Sequence, residues 1–207
     1  MKKILVYLLS LMLLSFSAKN IYGHQRSGEI PIKRIISFTT QNSVKLEVTF
    51  NQLPAADEKF SIKISDDQSG KIIFDQPVNS FSVSREENKM IFYVNNLTVD
   101  SWMPTNPNLY DLIFTETSDN KIIQQKKQRI GFRFFETKNG NLYLNGHPIF
   151  LRGIAINPPD RGIPDSVERS RKFAGDYIRC MKSIHVNISR IPDDTTWYNV
   201  CDELGIM

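Results

Sequence analysis

The sequence predicts two structural grammars in one chain: an antiparallel β-sandwich over residues 24–133, then alternating strands and helices over residues 134–207. Three observations predict this. From Ile32 to Arg133 apolar side chains recur at every second position, the period of strands with one dry face. After Asn145 the period lengthens to that of helices. Between them "QRIGFRFFETKNGNLYLNGHPIFLRGI" (Gln128–Ile154) passes from one grammar to the other, with Asn139-Gly140 and Asn145-Gly146 as turn signals.

The first residues stand apart from the fold. Lys2 and Lys3 precede an apolar run, Ile4 to Phe16, interrupted only by Ser10 and Ser15. The run is short for a bilayer span and has the form of a signal peptide ending at or before Gly23. Export is therefore expected, with no membrane attachment after cleavage. Without residues 1–23 the formal charge falls from +4 to +1, since Lys2, Lys3 and Lys19 leave and no acid does. A balance so near neutral gives no basis for nucleic-acid binding. The nearest thing to a basic face, Lys126-Lys127-Gln128-Arg129, reads as the wet side of a strand.

Within the sandwich, Val44, Leu46, Val48 and Phe50 alternate with Lys45, Glu47 and Thr49. Phe60, Ile62 and Ile64 repeat the pattern, as do Tyr110, Leu112 and Phe114. Asp66 to Gly70 and Ser118-Asp119-Asn120 supply turns. About seven or eight strands and no helix are expected, the layout of an immunoglobulin-like sandwich without its cysteine pair.

In the second part, Ile149 to Ile156 is nearly all apolar, as for a strand covered on both faces. A Pro- and Asp-rich loop follows from Asn157 to Asp165. Phe173, Tyr177 and Met181, with Ile178, Cys180 and Ile184, predict a helix capped by Asp165 or Ser166. A strand over Val186–Ile191 and a helix over Thr195–Leu204 come next, with Gly205 as C-cap. This β-α-β-α order begins a parallel α/β architecture. Two such units do not close a barrel, which takes eight units and about 250 residues. An incomplete second domain is the expectation. Cys180 and Cys201 are expected as buried apolar residues rather than a bridge.

The segments "SWMPTNPNLYDLIF" (Ser101–Phe114), "QRIGFRFFETKNGNLYLNGHPIFLRG" (Gln128–Gly153) and "WYNVCDELGI" (Trp197–Ile206) together resemble glycoside hydrolase family 2, the family of β-galactosidases, β-glucuronidases and β-mannosidases. The resemblance runs from about Asp66 to Met207. It implies an immunoglobulin-like domain followed by the first two units of a (β/α)8 TIM barrel, in an exported enzyme acting on a carbohydrate substrate. The jelly-roll domain that usually precedes the sandwich in this family has no counterpart after the signal segment.

Family members are retaining enzymes with two catalytic Glu residues about 5–5.5 Å apart, one of them in an Asn-Glu pair. This sequence contains no Asn-Glu dipeptide, so both are expected beyond Met207 and the chain alone is expected to be inactive. Arg190 matches the family Arg that hydrogen-bonds the nucleophile; a surface Arg at a strand end is its plainer reading. Asn157, where a His is common in the family, and Asp160 are candidate substrate contacts in the loop after the first strand. Asp193 is a third, after the second strand, although Asp before a helix is also a favoured cap, as Asp194 is too. Asp202 and Glu203 read as a solvated or capping helix end, and Glu86 and Glu87 as a polar turn. His24, His147 and His185 lack metal-ligand spacing, and no phosphate loop or Ser-His-Asp set is present. No metal or cofactor is expected. A second reading, of a different class, is a non-catalytic sandwich module that binds a glycan or a protein and carries a barrel remnant.

Overall fold

The computed structural model describes residues 32–79, 81–155 and 164–207. The signal-peptide reading falls on residues outside these, as do Asn157 and Asp160.

Ten strands form the first part. They are β1 (Ile32–Thr39), β2 (Val44–Phe50), β3 (Lys59–Asp66), β4 (Ile72–Pro77) and β5 (Phe81–Ser84). β6 (Lys89–Val94), β7 (Trp102–Met103), β8 (Asn106–Pro107), β9 (Tyr110–Ser118) and β10 (Lys121–Ile130) complete the set. Eight of them build two four-stranded antiparallel sheets, ordered β1-β2-β6-β5 and β10-β9-β3-β4, and β7 pairs with β8 alone. The alternation of the sequence becomes the two dry faces. Leu46 and Phe92 lie side by side in one sheet, Ile62 and Phe114 in the other, and all four are fully buried. The sheets meet through aromatic rings, with Phe92 of the first sheet 5.1 Å from Phe114 and 5.2 Å from Phe60 of the second. Such tilted and edge-on pairs add about 0.5–1.5 kcal/mol each beyond area burial.

A three-stranded meander follows: β11 (Phe135–Lys138), β12 (Asn141–Leu144) and β13 (His147–Pro148). Its turns are the predicted ones. Asn139-Gly140 and Asn145-Gly146 all have positive φ, between 51° and 78°, as a two-residue hairpin turn with right-handed strand twist requires.

The last part holds β14 (Gly153–Ala155), α1 (Asp165–Glu168), α2 (Arg171–Ser183), β15 (Ile188–Arg190) and α3 (Thr195–Leu204). β14 and β15 run parallel. α2 and α3 bury Ala174, Ile178 and Met181 against Trp197, Val200 and Cys201, with Val186 and Ile206 filling between them.

Three local expectations are corrected. α2 is capped by Ser170, whose Oγ accepts from Phe173 N at 3.2 Å, because Asp165 and Ser166 belong to the separate single turn α1. The buried stripe of α2 is turned by one residue from the expected one. Ala174 is small enough to let α3 approach, so Cys180 and Ile184 are left exposed, and Phe173 and Tyr177 ring the rim of Trp197. β14 is shorter than expected and its three residues are exposed, since the two helices pack mainly on each other. Cys201 is buried as expected, and both cysteines are free.

Candidate functional site

Arg190 is the last residue of β15, exposed, and opposite Ala155 in the parallel register. The backbone brings it there through two local devices. Asn187 is buried, donates to Phe150 O (2.9 Å) and accepts from Arg152 N (2.8 Å), which fixes the entry to β14 beside that to β15. Ser189 Oγ donates to Ile154 O at 2.6 Å. Met207 then hydrogen-bonds on either side of Ile188, its N–H to Asn187 O and its carbonyl to Ser189 N–H, each at 2.9 Å. That is the parallel-strand pattern, on the side of β15 away from β14.

The loop after β15 carries both acids singled out in the sequence. Asp193 accepts a hydrogen bond from the Tyr198 hydroxyl at 2.5 Å. This bond holds the phenol proton and raises the Tyr198 pKa. Asp194 is the N-cap of α3, accepting from Thr196 N at 2.8 Å, and the hydroxyl and amide of Thr196 lower its pKa. Asp194 is therefore structural, while Asp193 is exposed on the loop that follows Arg190.

Asp202 and Glu203 are not a solvated helix end; they join α3 to the sandwich. Trp102 is fully buried at the centre of this junction. Its main-chain N–H donates to the carbonyl of Phe132, and its indole N–H donates to Asp202 O at 2.7 Å. Its carbonyl accepts from Asn145 Nδ2 at 2.9 Å, and the Arg133 guanidinium stacks on its ring at 4.4 Å. Arg133 also lies 3.2 Å from the Asp202 carboxylate. Glu203 receives Arg129 at 2.5 Å and, on its other oxygen, Arg171. The basic cluster of β10 is thus partnered: Lys127 reaches Asp111 of the neighbouring β9, and Arg129 reaches α3. Pro104, after β7, accepts from Lys182 and faces Gly205, whose left-handed φ of 77° ends α3. A Cβ at Gly205 would stand 2.3 Å from the Pro104 oxygen, so only glycine fits. The sequence held one signal for this junction: a Trp in an apolar segment needs an acceptor for its indole N–H.

The two acids titrate in opposite senses. Burial raises the Asp202 pKa despite Arg133 and Arg129. Burial also works to raise that of Glu203, but the hydrogen bonds from Arg171 and Arg129 outweigh it and leave it lowered. A raised carboxyl pKa means the native state takes up the proton first, so the Asp202 contribution improves as pH falls through its folded value, above 3.8. The Glu203 contribution is present above 4.5 and is lost as pH falls through its lowered folded value. We expect Glu203→Gln to lose about 1–2 kcal/mol at pH 7, a loss that fades under acid. Asp202→Asn is expected to match or exceed the parent at pH 7. Urea unfolding of both variants at pH 7 and pH 3.5 checks this; a Glu203→Gln loss independent of pH would refute the assignment.

The comparisons with known proteins fit this geometry. The family model "Glycosyl hydrolases family 2" matches residues 32–133. The beta-galactosidase of Priestia megaterium is 33% identical over 109 residues, covering 51% of this chain and 10% of that protein. The beta-galactosidase of Lactobacillus delbrueckii subsp. bulgaricus is 27% identical over 170 residues, covering 78% of this chain and 16% of that protein. Among solved structures, the beta-glucuronidase of Parabacteroides merdae has a TM-score of 0.64 at 19% identity, covering 86% of this chain and 23% of that one; this is a likeness of fold. The chain spans between a tenth and a sixth of these curated relatives. By its sandwich of residues 32–133, matched in both sequence and fold, the chain belongs to the glycosyl hydrolases of family 2.

Proposed function

We propose that this chain is part of an exported, retaining O-glycosyl hydrolase of the β-galactosidase or β-glucuronidase kind, acting on a carbohydrate. Its sandwich serves as a rigid mount. Its β14-α1-α2-β15-α3 segment forms the opening units of a (β/α)8 barrel, held to that mount by the Trp102 junction. The carrying observation is the parallel order β14, β15, Met207, with Arg190 and Asp193 at the C-terminal end of β15, the end where barrel enzymes place their chemistry. The relatives named beta-galactosidase support the reaction type.

In this reading the acid/base and the nucleophile are carboxylates from outside the described residues. One protonates the glycosidic oxygen while the other attacks the anomeric carbon; the first then activates the water that releases the sugar. Arg190 donates to the nucleophile, keeping it ionised and in one orientation. Asp193, steadied by Tyr198, offers an acceptor to a sugar hydroxyl; Asn157 and Asp160, the other proposed substrate contacts, lie outside the described residues.

Of the acids of the described α/β segment, Asp194 caps α3, Asp176, Asp202 and Glu203 are ion-paired, and Asp193 accepts from Tyr198; none is assigned the acid/base or nucleophile role in this reading. The purified 207-residue chain is therefore expected to hydrolyse no nitrophenyl glycoside above background. Reading the gene beyond codon 207 is the companion test, with continuation into a third strand and an Asn-Glu pair as the expected result. Turnover that survives repurification, or a frame without those features, overturns the reading.

A further inference from the structure

At the other end of the parallel pair from Arg190, a cavity of about 450 Å³ opens between the Pro104 turn, the exit from β13 and the entry to β15. Its volume falls within the roughly 300–1,000 Å³ of small-molecule sites. The lining chemistry is one-sided. Lys182, Arg152 and His185 face it, and among the described residues no Asp or Glu does. Phe150, 78% exposed, forms one wall.

Lys182 is the unusual group. Its ammonium is partly buried and bonded to two carbonyl oxygens, of Pro104 and Gly205. Burial lowers its pKa, and among the described residues no neighbouring carboxylate acts in the other direction. A desolvated cation without a counter-charge is costly, and an anion beside it removes that cost. Arg152 is fixed at the rim, its Nε donating to His185 O at 2.6 Å. This leaves the terminal nitrogens of its planar fork as further donors for an anion. The ring of Phe150 gives an apolar face beside these cations, suited to the C–H face of a sugar ring.

We propose that this cavity binds an acidic saccharide, a sugar bearing a carboxylate or sulfate, with the anion at Lys182 and Arg152 and the ring on Phe150. This goes beyond the proposed hydrolase. The site lies at the strand-entry end, away from Arg190, and would hold a charged glycan in place rather than cleave it. Its test needs no catalysis, so it stands or falls apart from the hydrolase reading.

Titrate the purified chain with methyl β-glucuronoside, its neutral counterpart methyl β-glucoside, and inorganic sulfate, by calorimetry and by thermal shift. The glucuronoside is expected to bind with a Kd on the order of 1 mM, more weakly as salt rises. The glucoside and free sulfate are each expected to bind at least tenfold more weakly. Lys182→Met is expected to abolish binding. Phe150→Ala, at a side chain too exposed to disturb the fold, is expected to weaken it by about tenfold. Sulfate binding as tightly as the glucuronoside, glucoside binding equally well, Phe150→Ala without effect, or no binding at all each overturns the proposal.

Discussion

Replacing Trp102 with alanine is expected to remove about 3–5 kcal/mol of stability, the usual cost of deleting a large buried aromatic, and to split one unfolding transition into two. The size follows from full burial and the splitting from position. Trp102 N–H binds Phe132 of the sandwich, its carbonyl binds Asn145 of the meander, and its indole N–H binds Asp202 of α3. The main-chain bonds survive the substitution; the ring that fills the space between the three parts does not. Arg133 then loses its stacking partner while its charge stays near Asp202. Trp102→Phe separates the two terms, because it keeps most of the apolar volume and loses only the indole donor, leaving Asp202 O unpaired at about 1–3 kcal/mol. Cys201 is a built-in reporter. Burial, with Asp202 nearby, pushes its thiol up to about 12, so it resists alkylation in the native state and reacts when α3 separates. Denaturant unfolding followed by tryptophan fluorescence and by Cys201 labelling checks both claims. A loss under about 1 kcal/mol, with one transition by both probes, would show that the junction does not couple the parts.

What the sequence made legible, and what it did not, divides by range. The period-two pattern of β2 and β3 translated directly into the buried faces, because strand alternation is set residue by residue. The Thr195–Leu204 helix was legible to both ends, since Asp194 and Gly205 are local signals whose geometry needs no distant partner. The stripe of α2 was misplaced by one residue because it depends on which side α3 occupies. Arg129 and Glu203 are 74 residues apart, and Trp102 and Asp202 are 100 apart. Nothing in the polar character of "DEL" distinguishes a solvated helix end from an ion-paired one. Composition reports that a charge exists; only the fold assigns it a partner.

Arg190→Lys is expected to slow a catalytically competent form of the protein by a factor on the order of 10²–10³, with kcat and kcat/KM falling together. The expectation rests on the proposed role of Arg190 beside the nucleophilic carboxylate. Lysine preserves the charge, so any deficit isolates geometry: the planar fork of arginine can hold both oxygens of a carboxylate in one plane, whereas an ammonium can pivot. A contact that matters mainly in the transition state lowers kcat as well as kcat/KM, and a contact equally good in the ground state raises only KM. Stability should change little, since Arg190 is exposed at the end of β15 and belongs to neither helix face. Thermal melting therefore serves as the control, and Asp193→Asn as the contrast. Removing the charge from a sugar-contacting acceptor is expected to act chiefly on KM, because its bond to a hydroxyl is already made before the glycosidic bond lengthens. If Arg190→Lys melts early, or alters KM alone, the residue anchors the loop or the sugar, and the orientation of the nucleophile must come from another residue.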